Sequence, residues 1–215
     1  MGMHAFLNFR PPLLAALMCV SAFCQEPAIM KTVRRLYDGQ TALEARFDLH
    51  ILWKVREKEE SKTGKLFLAP GDKFRVELGA STWVSNGRTY WEASRDKNTV
   101  QVIIKGASEI DRSMLPSQIV QRYVKNHGYT LKETLGPLTV VACKADSASK
   151  TPDAERVELS IDSKTGTIKT LLVVDKNGNE SAYRFKKTEF PANIPESAFD
   201  YAIPKGASIL DMRNQ

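Results

Sequence analysis

The chain has 215 residues, of which 31 are basic and 25 acidic, so its formal net charge is +6. Its composition is 42% hydrophobic and 26% charged, which excludes a wholly disordered chain and a protein with several membrane spans. Three cysteines are too few for a scaffold held together by disulfides. The length suits one large domain or two small ones.

The first 24 residues are predicted to be a secretory signal peptide. Arg10 is the only charged residue in this segment, and the apolar run at 13–23 is shorter than the roughly 20 residues that a bilayer span needs. Small residues near its end favour cleavage between Cys24 and Gln25. Two alternatives stay open. One is an acylated Cys24, which the bulky Phe23 disfavours, and the other is an amphipathic first helix of the mature domain.

The mature chain, residues 25–215, is predicted to be a single domain that is mainly β with helices. Apolar residues at helical spacing predict a first helix from 28 to about 37. From 47 to 55, apolar and polar residues alternate, which predicts a half-buried strand. Similar strands are predicted at 66–68, 74–78, 100–104, 157–161, 168–174 and 181–185, with glycine-containing turns at 163–166 and 177–178. This spacing is typical of a meandering sheet or barrel.

The dipeptide Asn86-Gly87 predicts a two-residue hairpin turn, since both residues tolerate a positive φ. The turn would pair Ser85 with Arg88, Val84 with Thr89, Trp83 with Tyr90 and Thr82 with Trp91. Trp83 and Tyr90 would then share one face and Trp91 would lie on the other, without an indication of which face is interior. Further along, a second helix is predicted over 111–126 and a surface loop over 146–153.

Residues that would support catalysis or metal binding are not grouped in this sequence. His50 and His127 lie in different predicted elements and have no metal-ligand pattern around them. Cys143 follows an apolar stretch, which indicates an inert, buried thiol. No phosphate-binding loop, nucleophile elbow or basic stripe occurs, which argues against an enzyme and against nucleic-acid binding. We therefore expect no enzyme, metal or cofactor, and a catalytic site assembled only by the fold is the alternative.

The large apolar residues on the predicted sheet allow two interpretations. The sheet could close over a filled core, or it could leave a cavity for an apolar ligand. Composition alone favours the filled core.

Four motifs, in order, resemble the LolA family of periplasmic lipoprotein carriers over about residues 29–211. They are Leu-Glu-Ala-Arg-Phe at 43–47, Gly-Lys-Leu-Phe-Leu-Ala-Pro-Gly-Asp-Lys-Phe-Arg at 64–75, Val-Ser-Asn-Gly-Arg-Thr-Tyr-Trp at 84–91 and Phe-Asp-Tyr-Ala-Ile-Pro-Lys-Gly-Ala at 199–207. The third is similar to the family's Val-Ser-Asp-Gly-Lys-Thr-x-Trp, and the fourth to its closing Phe-x-Phe-x-x-Pro-x-Gly. One position departs from the pattern. The family's best-known carriers have an arginine before the proline of the second motif, where it latches a lid, and this chain has Ala69.

The resemblance implies an unclosed antiparallel β-barrel of about 11 strands, with helices that form a lid over an apolar cavity. It also implies a monomeric periplasmic carrier that binds the acyl chains of lipoproteins and takes them from the inner to the outer membrane. Its partners would be an inner-membrane ABC-type lipoprotein release complex and an outer-membrane lipoprotein acceptor. Two alternatives of the same fold are an envelope-stress sensor that binds a protein partner and an anchored lipoprotein acceptor.

Candidate site residues follow from the predicted strand faces and from this resemblance. The proposed cavity residues are Phe47, Leu49, Ile51, Trp53, Leu66, Leu68, Phe74, Val76 and Trp91. The proposed lid residues are Ile110, Met114, Leu115 and Ile119. Packing of all these side chains into a filled core is the alternative.

Overall fold

The computed structural model describes residues 26–37, 42–97, 99–109, 123–124, 128–143 and 154–213. The helix is α1 (Ile29–Leu36), and the strands are β1 (Leu43–Trp53), β2 (Lys58–Ala69), β3 (Lys73–Leu78), β4 (Ser81–Asn86), β5 (Thr89–Asp96), β6 (Thr99–Gly106), β7 (Tyr129–Leu135), β8 (Leu138–Cys143), β9 (Ala154–Asp162), β10 (Ile168–Asp175), β11 (Glu180–Glu189) and β12 (Ser208–Asp211). Short 3₁₀ turns occur at Ala107–Glu109 and Glu196–Phe199.

All these strands belong to one 12-stranded sheet in the order β12-β6-β5-β4-β3-β2-β1-β11-β10-β9-β8-β7. Neighbouring strands are antiparallel, except that β12 runs parallel to β6. Among the described residues, the end strands β12 and β7 do not pair with each other, so the sheet is unclosed. The predicted mainly β fold with an unclosed antiparallel sheet is confirmed, with 12 strands where about 11 were expected.

The strand β1 follows the predicted alternation, because successive side chains of a strand point to opposite faces. Leu43, Phe47 and Leu49 are buried, and the residues between them on the other face are more exposed. The strand ends at Trp53, two residues earlier than predicted. Val55 lies in the following turn and is 81% exposed.

The β4–β5 hairpin differs by two residues from the predicted register. Val84 pairs with Trp91, which makes Gly87 and Arg88 the two loop residues. Asn86 stays outside the loop and stabilises it, because its side-chain oxygen accepts a hydrogen bond from the Arg88 N–H at 3.0 Å. Gly87 has a φ of +87°, in the region that favours glycine. A shift of two residues keeps every side chain on its face, so the predicted grouping of the aromatic residues by face is correct.

A large buried cluster lies on one face of the sheet. It includes residues of β1–β3, β5 and β7–β11, together with α1, Tyr123 and Val124. Because strands from both halves of the strand order contribute to the same cluster, the sheet curls around it. We call this concave side the inner face and the opposite side the outer face.

The C-terminal strap, which we define as residues 194–207, crosses the outer face of β2–β6. Phe199 is fully buried there in a cluster with Ile194, and Tyr201 packs against a third cluster on β5 and β6. Lys73 Nζ lies 2.6 Å from a carboxylate oxygen of Glu196 and ties the strap to β3. The chain then adds β12 to the edge of β6.

The predicted first helix is confirmed as α1, and both glycine-containing turns lie between strands as expected. In the predicted second helix, Tyr123 and Val124 are described and are helical, and Gly128 after that helix is described as well. The rest of this helix, the predicted 146–153 loop and residues 1–25 lie outside the described residues. Among the described helices, none combines the length and the hydropathy that a membrane crossing requires.

Candidate functional site

Eight of the nine predicted cavity residues lie together on the inner face. They are Phe47, Leu49, Ile51 and Trp53 on β1, Leu66 and Leu68 on β2, and Phe74 and Val76 on β3. Cross-strand pairs align them, since Leu66 pairs with Val76 and Leu68 with Phe74. Of the eight, only Ile51 and Trp53 are not fully buried.

We call the fully buried part of the inner face around Phe47 and Leu66 the floor of this site. It contains a close contact between an aromatic ring and a glycine. Phe47 pairs directly with Gly64, and a Cβ atom at Gly64 would lie 2.5 Å from the ring's Cζ. The ring centroid lies 5.9 Å from those of both Tyr183 and Phe185. Glycine at position 64 therefore leaves room for the end of the Phe47 ring to approach the backbone of β2 closely, while aromatic neighbours pack against the same ring.

The inner face becomes half-exposed toward the end of the sheet where β1 finishes. We call this region the open end. It contains the partly buried apolar residues Ile51, Trp53, Leu78, Trp83 and Val173. All but Trp53 pack against the large buried cluster. Apolar side chains in this position give an apolar ligand contact surface without first opening the packed floor.

Trp91 does not lie with the other predicted cavity residues. It pairs with Val84 and with Ile104, on the outer face of the sheet. There it is half-buried and packs against a cluster that includes Ala93, against which the strap residue Tyr201 also packs. Its packing therefore belongs to the outer face and not to the inner face.

Several inner-face residues at the open end are not among the predicted cavity residues. Leu78 and Trp83 lie there, as do the charged residues Glu60 and Lys62 of β2. The period-two alternation that marked Leu66 would have identified both charged residues if it had been extended backward across glycine 64. The inward positions of a buried strand are usually apolar. The apolar alternation of β2 therefore ends at Gly64, before the two charged residues.

The helix α1 and the turn at Tyr123–Val124 cover another part of the inner core. Met30 and Val33 of α1 are fully buried. Arg34 donates a hydrogen bond to the Val124 carbonyl at 3.4 Å and lies 5.7 Å from the Tyr129 ring centroid. The Tyr129 hydroxyl donates to the Tyr123 carbonyl. The proposed lid residues lie outside the described part of the chain, immediately before this turn.

Tyr37 fixes the end of α1 against the sheet. Its hydroxyl accepts a hydrogen bond from the Ile168 N–H at 3.0 Å, and its ring meets Phe190 edge-on at 5.3 Å. Burial raises the pKa of the Tyr37 hydroxyl to about 12, so it is neutral at physiological pH. The end of the helix is thus held by packing and by the hydrogen bonds of the Tyr37 hydroxyl with the Ile168 N–H and with Thr188.

Position 69, where the resemblance would place a lid-latching arginine, lies on the outer face. Ala69 pairs with Lys73 and packs beside the strap residues Ile194 and Phe199. Its side chain therefore points away from the inner core, because Leu68 next to it points inward.

The described residues contain no group of three or more potential metal ligands. Cys143 is partly buried, not fully buried as predicted, and this burial raises the pKa of its thiol to about 12, so the thiol is protonated at physiological pH. His50 lies on the outer face, with Nε2 3.3 Å from a carboxylate oxygen of Glu59. His127 lies outside the described residues. The site is thus an apolar surface with a few charged residues at its open end.

Residues 39–202, more than half of the chain, match the family model for the outer membrane lipoprotein carrier protein LolA. No curated protein matches the sequence. Among solved structures, an uncharacterized conserved protein from Thermus thermophilus is 14% identical with a TM-score of 0.53, over 85% of this chain and 96% of that one. This likeness shows the fold alone.

Two other solved structures are similar to a lesser degree. A LolA superfamily protein from Nitrosomonas europaea is 10% identical with a TM-score of 0.44, over 80% of this chain and 96% of that one. A chain of the Pseudomonas aeruginosa MucA/MucB complex is 15% identical with a TM-score of 0.41, over 82% of this chain and 62% of that one.

Proposed function

Because the chain belongs to the LolA family of outer membrane lipoprotein carriers, we propose that it binds the acyl chains of lipoproteins on its inner face and carries them from the inner to the outer membrane. One observation carries this proposal. The apolar inner face is buried at its floor, beside Phe47 and Leu66, and half-exposed at the open end, beside Ile51 and Trp83.

The hydrophobic effect supplies the binding free energy. Each acyl methylene moved from water to an apolar surface contributes about 0.8 kcal/mol. Release without a fuel requires that the protein regain apolar contacts when the ligand leaves. In this proposal Ile110, Met114, Leu115 and Ile119 form an apolar lid that exchanges its own contacts for those of the ligand, and Met114 adds adaptability.

The family also suggests the cellular setting of this protein. In the proposal, residues 1–24 are a signal peptide, and residues 25–215 act as one monomeric domain in the periplasm. The carrier takes acylated lipoproteins from an inner-membrane ABC-type release complex and passes them to an outer-membrane acceptor. It acts by binding alone, without catalysis or a cofactor.

Native mass spectrometry of the protein purified from periplasm tests the cargo. We expect a bound lipid or an acylated protein. Acyl mass on Cys24 itself would favour the anchored acceptor instead, and a bound protein without lipid would favour the sensor.

A pair of variants on β1 tests the location of the site. Ile51 and Leu52 are neighbours of equal size, and both are half-buried, but Ile51 faces inward and Leu52 outward. Ile51→Gln should weaken the binding of a fluorescent acyl-chain probe by at least about tenfold, since it puts a polar group into the apolar contact. Leu52→Gln should leave probe binding unchanged. Equal effects of the two substitutions, or no probe binding by the unmodified protein, would contradict the proposal.

A further inference from the structure

The strand β2 changes from apolar to charged along its inner side. Leu68, Leu66 and Gly64 are buried, and the next two inward positions are Lys62 and Glu60, which are half-buried. The outward residues at 61, 63 and 65 are exposed. The difference in burial shows that the two charged side chains lie on the concave side of the sheet.

Lys62 and Glu60 lie directly beside the proposed acyl site. Across the β1–β2 pairing, Lys62 is opposite Leu49 and Glu60 is opposite Ile51. Lys62 Nζ lies 3.0 Å from Glu60 Oε1, and the two side chains are 39% and 35% exposed. The hydrogen bond from Lys62 lowers the pKa of the Glu60 carboxyl, so this carboxyl is ionised at neutral pH. An ion pair thus lies where β1 passes from the buried Leu49 to the half-buried Ile51.

The open end carries more positive than negative charge on this strand. Lys58 is the next inward position of β2, opposite Trp53. The inward side of the strand therefore presents two ammonium groups and one carboxylate. An ammonium group has three donors, so Lys62 can bind a second acceptor while it keeps its hydrogen bond to Glu60.

We infer that Lys62 and Glu60 form a subsite for the head group of an acyl ligand, and that this subsite favours a head with an anionic phosphate or carboxylate over a neutral head. The inference rests on the proposed acyl-binding function and adds the class of head group. An acyl chain that lies on Leu49 and Ile51 brings its polar end to these charges, because the apolar part of β2 ends at glycine 64.

Three ligands with the same 16-carbon chain test the preference: lysophosphatidylglycerol, palmitate and monopalmitoylglycerol. Each is titrated against a bound fluorescent acyl probe, below the concentration at which it forms micelles. The two anionic ligands should displace the probe about fivefold better than the neutral one, a difference typical of one partly exposed ionic contact. Added salt should reduce the difference, since it screens exposed charges. Comparing phosphate with carboxylate identifies which anion is preferred.

Two substitutions of opposite sign separate recognition from a structural role. Lys62→Met should abolish the preference for anionic ligands, and Glu60→Gln should increase it, because it removes the competing carboxylate. Lys65→Met is the matched control, since Lys65 lies on the outer side of the same strand. It should leave all three affinities unchanged.

The outcomes distinguish this inference from the proposed function. Equal affinities of the unmodified protein for all three ligands would overturn the subsite and leave the acyl site intact. A uniform loss of affinity for all three ligands in both Lys62→Met and Glu60→Gln would also overturn it, because that is the result of a structural role. Failure of the unmodified protein to bind any of the ligands would overturn the proposed function and the subsite together.

Discussion

The contact between Phe47 and Gly64 allows a sharp test of the packing at the floor of the site. Phe47 is 1% exposed, and a Cβ atom at Gly64 would lie 2.5 Å from its Cζ, closer than real Cβ atoms approach. Tyr183 and Phe185 pack against the same ring, so the ring cannot move away without disturbing them. Gly64→Ala is therefore expected to destabilise the protein.

Two opposing effects determine the size of this change. Alanine restricts the unfolded chain, which stabilises the protein by about 0.4–1 kcal/mol where the native backbone tolerates it. Overpacking of a well-packed core costs about 1–3 kcal/mol. The midpoints of these two ranges leave a net loss of about 1.3 kcal/mol in the free energy of unfolding, measured by urea denaturation with an unchanged slope.

A control substitution and a second background make the test specific. Gly106→Ala should change stability by less than about 0.5 kcal/mol, because the new Cβ meets the exposed Glu109 carboxylate, which can turn aside. In a Phe47→Leu background, Gly64→Ala should cost nothing, because leucine lacks the ring atoms that clash. A Gly64→Ala protein as stable as the unmodified one, or an equal loss in both backgrounds, would refute this account of the floor.

Phe199→Ala should reduce stability by about 3–5 kcal/mol, because the ring is fully buried beneath the strap; a loss below about 1 kcal/mol in urea denaturation would show that the strap is not anchored there. Leu66→Ala should cost about 2–5 kcal/mol and the half-buried Ile51→Ala less than about 1 kcal/mol, and equal losses in thermal melts would contradict the division between floor and open end. Burial raises the pKa of the Cys143 thiol to about 12, so iodoacetamide should modify the folded protein much more slowly than the unfolded one at about pH 8; equal rates would show an accessible thiol. The intact mass of the exported protein should correspond to a chain that starts at Gln25, and a mass with acyl groups would contradict this.

The inner face of β1–β3 could be predicted because a strand with one buried face alternates in sequence. Phe47, Leu66 and Val76 were found in this way, and all three are buried on the same side. The pattern depends only on neighbours in the chain, so a single sequence is enough to detect it. The resemblance to the family added the unclosed antiparallel barrel, which alternation cannot supply.

The position of Trp91 could not be predicted, because both faces of its hairpin are covered. Tyr90 packs into the inner cluster and Trp91 against the outer one, so two successive residues are apolar and the alternation disappears. The strap residue Tyr201, more than a hundred positions later in the chain, packs against the same outer cluster as Trp91. Local sequence carries no information about such a contact. The hairpin register failed for a local reason, since Asn86 stabilises the loop from outside it.

The strands near the β12 edge bury apolar residues on their outer side. On β5 and β6 the apolar residues Ala93 and Val102 face outward, whereas Glu92 and Gln101 face inward. The inner side of these two strands mixes the apolar Tyr90 and Ile103 with polar residues, so it continues the apolar inner face only in part. The apolar residues on the outer side of β5 and β6 need a cover, because they would otherwise be exposed to water. The strap provides it, since Tyr201 and Ala207 pack against Ala93 and Val102.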